Sequence, residues 1–481
     1  MKNAVIHSIF GLALALCAGQ ASADWPTESV MIGERDHPKI VARFGGMIDD
    51  GPLADYVRRV GQLMVAVSSR PDENWQFIVL DSPEVNAFAL PGGYVYITRG
   101  LLALANSEAE LAAVLAHEIT HIIEEHVENR AAANQDAVLD GALGALVDGL
   151  FSSDSFGDIM RNNIESALGE IGANSQEQEF AADRGGIILL ERAGYNPHAQ
   201  AEFLGSMAAN SALRAIMAGR GFDPEKVPFF ANHPAPAERQ IIARQLAGQG
   251  TGTDNIDAYL AMIEGLLYGD SAQQGFVRGQ TYFYPVLGFT FTAPHGLQIQ
   301  NRARQINIIG PHGSTLVMTG ARDTGGSLRD YVSEWVGSIP RRERIGRRIS
   351  HVQRLDINGL EAVTGTIGLR RNARRGDLQM TVIRFNGKLI RFAGFSRSRD
   401  TAAQNLLMQT VESFVALGPD AASQLQTYHI EIYEIQRRDT VDSLGAAFPQ
   451  QGFGPEMLRV LNGLEDGEVL ETGMPIKILV R

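Results

Sequence analysis

The segment AAVLAHEITHIIEEHVENR, residues 112–130, sets two histidines four residues apart, with a glutamate directly after the first, in the middle of an apolar run. Any fold for this chain has to accommodate those polar side chains together. Ser107 followed by Glu110 has the spacing of a capping box, and Leu111, Val114, Leu115, Ile119, Ile122 and Ile123 recur at helical intervals, which predicts an amphipathic helix starting near residue 108. At about 100° per residue, His117 and His121 lie only about 40° apart on that helix, so both imidazoles can converge on one ion. Zinc requires this of its first two ligands. His126 sits about 180° round the helix from His117 and is expected to face elsewhere, as a structural or solvated histidine. The longer pattern, in which a third histidine follows a glycine, is absent, because Glu124 and Val127 occupy those places. A third ligand has to come from another segment.

The chain opens MKNAVIHSIFGLALALCAGQASADWP, with Lys2 ahead of an apolar run from Ile9 to Ala18 and Ala21-Ser22-Ala23 as a small-residue cleavage site. Residues 1–23 read as a cleavable signal peptide, too short for a membrane span. The single cysteine, Cys17, lies in the apolar run behind Leu16 rather than behind a small residue, which makes lipid attachment there the minor alternative. A mature chain without thiols relies on packing and metal instead of disulfides. The formal net charge of −13 argues against nucleic acid as a partner. The most apolar later stretch, residues 137–151, is short and carries Asp140 and Asp148, so no transmembrane segment is expected in the mature chain, which should be soluble after export.

The sequence divides by texture into a multidomain α+β protein. Residues 24–270 are mainly helical with a small β segment, in which Phe77–Leu80 and Tyr94–Thr98 are separated by the turn-prone Pro91-Gly92-Gly93. An Ala/Gly/Asp-rich region, residues 131–173, has weak apolar faces and suggests mobile helices or a lid. A second helix opens at Ser175, with Gln178 in the capping-box place, and ends near Gly194 before Pro197. Residues 271–420 turn to strands, with Asn386-Gly387 as a hairpin signal and helical stretches at 327–335 and 402–417, an α+β sandwich. Arg341, Arg342, Arg344, Arg347 and Arg348 form either a solvated face or a surface for an anionic partner. Residues 428–481 read as strand, helix, helix, strand.

In SQEQEFAADRGGIILLERAGYNP, residues 175–197, Glu179 and Asp183 are four apart and share a helix face, as a metal ligand and a supporting carboxylate would. Glu177 is a rival third ligand. It lies about 160° from Glu179, so the two cannot both face one ion.

HEITH, followed about sixty residues later by EFAAD and then by AGYNP and HPAPAER, resembles the exported, BepA-like branch of the HtpX and CAAX-prenyl-protease class of gluzincin metallopeptidases. NAFALPGGYVYITRGLL, residues 86–102, is also similar to that class, and the resemblance covers about residues 30–268. It departs at the C-terminus, where exported relatives often carry helical repeats. The resemblance implies a zincin catalytic domain in which His117, His121 and Glu179 bind one zinc ion per chain with a fourth position open. Glu118 would then be the general base and Asp183 would hold the outer ring nitrogen of a ligand histidine. It also implies that Asn86, Ala87, Phe88, Ala89 and Leu90 edge the cleft and pair with an extended substrate. His233, in FFANHPAPAERQ, would lie beside the cleft as a latch on the metal, a donor to the developing oxyanion, or a plain turn residue. The function implied is a periplasmic zinc endopeptidase acting on unfolded or mis-assembled envelope and outer-membrane proteins.

The last segment resembles a single LysM module, through Asp439-Thr440-Val441, Leu444, Leu461-Asn462-Gly463-Leu464, Gly473 and Ile476-Lys477-Ile478. That resemblance implies binding of N-acetylglucosamine polymers such as peptidoglycan, or else a degenerate copy that only packs on its neighbour. The segment is expected to be removable without loss of peptidase activity. The competing reading of the whole chain is a cell-envelope binding or chaperone-like protein with a latent metal site.

Overall fold

The computed structural model describes residues 25–126, 176–217, 228–230, 233–234, 237–303, 305–337, 339, 344–371, 374–449, 452–465 and 467–481. The expected signal peptide, residues 131–173 with the apolar stretch inside them, and the side chains of the arginine cluster lie outside what is described. Among the described residues, no helix is long and apolar enough to cross a membrane.

The histidine helix runs Glu108–Ile123. Ser107 caps it by accepting from the Glu110 amide at 3.1 Å, while the Glu110 carboxylate accepts from the Asn106 amide at 2.8 Å, one residue further back than a capping box would place it. The expected amphipathic character is corrected: every residue from Glu108 to Ile122 is buried. The helix is central because it packs against helices Pro52–Ala66, Gln176–Ala193 and Ala199–Met217 and against strand Ala87–Leu90, leaving no face for water. At its first turn, Glu108 accepts from Tyr195 at 2.7 Å, Arg59 at 2.8 Å and Asn255 at 2.7 Å. Burial opposes the charge of this carboxylate, but the donors around it prevail and hold it down at about 2.

A four-stranded sheet flanks the helices in the order Met47–Ile48, Gln76–Leu80, Tyr94–Thr98, Ala87–Leu90. Gln76–Leu80 and Tyr94–Thr98 are parallel, whereas Ala87–Leu90 runs antiparallel to Tyr94–Thr98 and forms an edge. The turn between the last two requires glycine at Gly93, which has φ +84 and where a Cβ would stand 2.5 Å from the Asn74 carbonyl oxygen.

The β-rich region centres on a seven-stranded antiparallel sheet, ordered Gln298–Asn301, Ile306–Ile309, Thr315–Arg322, Lys388–Arg397, Arg374–Phe385, Leu360–Arg371, Arg344–Ile357. Alternation along Lys388–Arg397 serves two cores. Ile390 and Phe392 pack with Leu407 and Val411 of helix Thr401–Glu412 and with Phe289 and Phe291, while Leu389 and Ala393 pack with Val332 and Trp335 of helix Leu328–Gly337.

Strand Tyr428–Glu434, helix Val441–Gly445, helix Gly454–Asn462 and strand Pro475–Val480 follow in the order read from the sequence. The segment packs into the body formed by the helical region rather than standing apart from it. Tyr428 and His429 pair with Tyr268 and Leu267, and Ile430, Leu458, Leu461, Ile476 and Leu479 belong to one hydrophobic core with Val57, Leu101, Leu111 and Leu115. Lys477 is fully buried and its Nζ donates to the carbonyls of Ala103 at 2.8 Å, Leu104 at 3.2 Å and Ala105 at 2.8 Å. It thereby caps the C-terminal end of helix Arg99–Leu104, immediately before the histidine helix.

Candidate metal centre

The site forms where the histidine helix meets the carboxylate helix, Gln176–Ala193. The two approach closely because the second carries Gly185-Gly186: a Cβ on Gly185 would stand 2.4 Å from Thr120 Cγ2. One turn away, His117, His121 and Glu179 each offer a ligand atom, all within 4.8 Å of one another and all buried. Glu177 is exposed and outside the cluster. His117 Nε2 and His121 Nε2 are 3.0 Å apart, and Glu179 places Oε1 3.3 Å from His121 Nε2 and Oε2 3.5 Å from His117 Nε2. A tetrahedral zinc ion with bonds of about 2.0–2.1 Å separates its ligands by about 3.3 Å. Two imidazole nitrogens and a carboxylate oxygen at these spacings fit a zinc ion.

Carboxylates and a buried arginine fix the ligands. Asp183 Oδ1 lies 3.0 Å from His117 Nδ1, the outer nitrogen of that ring. Burial disfavours charge on His117, but Asp183 and Glu179 together outweigh it and push the imidazole up to about 9. The same negative potential favours a cation. Arg239, buried in helix Ala237–Ala247, places Nη1 2.7 Å from Glu179 Oε2 and donates to Asp183 through Nε and Nη2 at 2.7 Å each. Gln200 donates to Asp183 Oδ1 at 2.8 Å. Burial would raise Asp183, but Arg239 dominates and holds it at about 2. With Glu179 Oε2 against the guanidinium, Oε1 is left to the cation.

Glu118, 1% exposed, and His117 line a small cleft whose walls include Gln200, Arg239, Phe203 and Met207. Strand Ala87–Leu90 packs against the histidine helix but does not line this cleft. Asn86 extends its ladder, accepting at its carbonyl from the Thr98 backbone amide at 3.0 Å, and its own backbone amide donates to Thr98 Oγ1 at 3.0 Å. His233 is described by its backbone, which pairs with Phe230 in a two-stranded ribbon beside the carboxylate helix.

Sequence reasoning missed three contributors. Arg239 stands in the quoted HPAPAER segment, and Gln200 follows AGYNP, yet neither has a spacing that signals its role. His126, expected to face away, returns to the site and is corrected: its Nδ1 lies 2.8 Å from His121 Nδ1.

Residues 53–246 match the family model described as Peptidase family M48. The chain is similar to the "Beta-barrel assembly-enhancing protease" of Escherichia coli (strain K12), 27% identical over 42% of this chain and 40% of that one. The protein of the same name from Yersinia pestis is 30% identical over the same shares. The "Mitochondrial metalloendopeptidase OMA1" of Schizosaccharomyces pombe is 30% identical over 39% of this chain and 51% of that one. The matches thus span about two fifths to a half of these relatives.

Proposed function

Because residues 53–246 match the model of peptidase family M48, we propose that the protein is an exported, periplasmic zinc endopeptidase that hydrolyses unfolded or mis-assembled envelope proteins. The observation that carries this reading is the buried His117–His121–Glu179 cluster with Glu118 on the wall of the same cleft. When bound, zinc would supply Lewis acidity to the scissile carbonyl and to an attacking water. Glu118 takes the proton from that water and later delivers one to the leaving amine. Asp183 accepts from His117 Nδ1, so that the Nε2 lone pair faces the cluster, and Arg239 holds both carboxylates in place.

Edge strand Ala87–Leu90 offers backbone groups to an extended substrate, which gives affinity with little sequence demand and suits unfolded chains. The relatives' name, with its reference to β-barrel assembly, supports outer-membrane proteins as the substrate class. The C-terminal segment serves in this reading as a packing partner of the peptidase domain. Casein, which lacks a stable fold, is expected to be cut by the full chain, a compact folded protein to be left intact, and a zinc chelator to stop the reaction. Cleavage that a chelator leaves unchanged would overturn the proposal.

His233 is proposed to regulate the same site. A neutral imidazole on a proline-stiffened segment suits a latch that fills the fourth ligand position or, when withdrawn, a donor to the oxyanion. His233→Ala is expected to raise basal proteolysis if it is a latch and to lower turnover with zinc retained if it is a donor. Unchanged proteolysis and turnover would make it a plain turn residue.

A further inference from the structure

The histidine helix stops at Ile123, and Glu125 adopts φ 54, a left-handed conformation that turns the chain back on itself. His126, 7% exposed, is thereby delivered beside His121, their rings 5.0 Å apart and steeply inclined at 67°. The two Nδ1 atoms are 2.8 Å apart, and Nε2 of His126 lies 3.4 Å from Glu124 Oε2. At 2.8 Å, one of the paired nitrogens must carry a proton and the other a lone pair. His121 Nε2 faces His117 Nε2 and Glu179 Oε1, so its lone pair belongs to a cation there and its proton belongs on Nδ1.

We propose that His126 is a positioning residue for His121: it accepts the Nδ1–H of that ring, fixing its tautomer and orientation as Asp183 does for His117. The inference rests on the zinc reading of the site. The two supports differ in charge for a physical reason. Glu179 and Asp183 are already buried together and share the single guanidinium of Arg239, so a further buried carboxylate behind His121 would lack a cation. A neutral imidazole orients the ring without that cost, and its own proton points toward Glu124.

The test is zinc affinity of the full chain, measured by competition with a chromophoric chelator. His126→Phe keeps a ring and His126→Leu keeps apolar bulk, but both lack the acceptor; His126→Asn puts an amide oxygen near the place of Nδ1. Phe and Leu are expected to weaken zinc binding by about 10- to 100-fold, whereas Asn stays near wild type. Metal-free wild type and variants are expected to unfold at the same denaturant midpoint, which separates positioning from packing. Equal loss in all three variants, or wild-type affinity in Phe and Leu, would overturn the inference. Failure of the zinc reading looks different: His117→Ala would then bind zinc as wild type does.

Discussion

Glu118→Gln is expected to retain zinc and lose peptide hydrolysis, with kcat falling by about a thousandfold. Glu118 is buried on the cleft wall beside His117, so an amide of the same shape fits without disturbing the helix. The amide cannot take a proton from water, and the reaction loses its base while the three candidate ligands remain. Metal content and turnover, measured on the same preparation, decide the matter. Near wild-type turnover would remove Glu118 from the mechanism, and loss of zinc would show that its carboxylate belongs to the metal site.

Removal of residues 428–481 is expected to abolish cooperative folding of the peptidase region. Ile430, Leu458, Leu461, Ile476 and Leu479 fill the same core as Leu101, Leu111 and Leu115, so truncation would open the apolar faces of helices Arg99–Leu104 and Ala199–Met217 to water. Lys477→Met isolates one part of the effect: the apolar stem is replaced and the three carbonyls at Ala103, Leu104 and Ala105 lose their donor. A cost of about 3 kcal/mol is expected, because three buried acceptors lose their donor. Denaturant unfolding of the two variants checks both statements. A truncated chain that unfolds at the wild-type midpoint would show that the segment is dispensable.

The parts of the site read from sequence are those set by local geometry. Ser107 announced the start of the histidine helix, the four-residue intervals put His117 with His121 and Glu179 with Asp183, and Pro91-Gly92-Gly93 marked a tight turn. What escaped depends on contacts between distant segments. Arg239 lies 56 residues beyond Asp183, and Lys477 reaches carbonyls more than 370 residues before it, so no periodicity could couple them. His126 was misplaced for a different reason. Extending the helical angle past Ile123 assumed a helix that Glu125 ends by turning left-handed. The burial of the histidine helix on every side also came from its neighbours, and its Glu108 is buried with donors such as Tyr195 that lie far along the chain.

The central claim is that His117, His121 and Glu179 hold one zinc ion per chain that hydrolysis of polypeptide requires. The most direct measurement strips the full-length protein of metal and follows casein cleavage as zinc is returned in known amounts. Activity should be absent at the start, rise linearly and break at one zinc per chain, while His121→Ala should show no break and no activity. Undiminished cleavage by the stripped protein, or a return of activity in His121→Ala with the same break, would contradict the account.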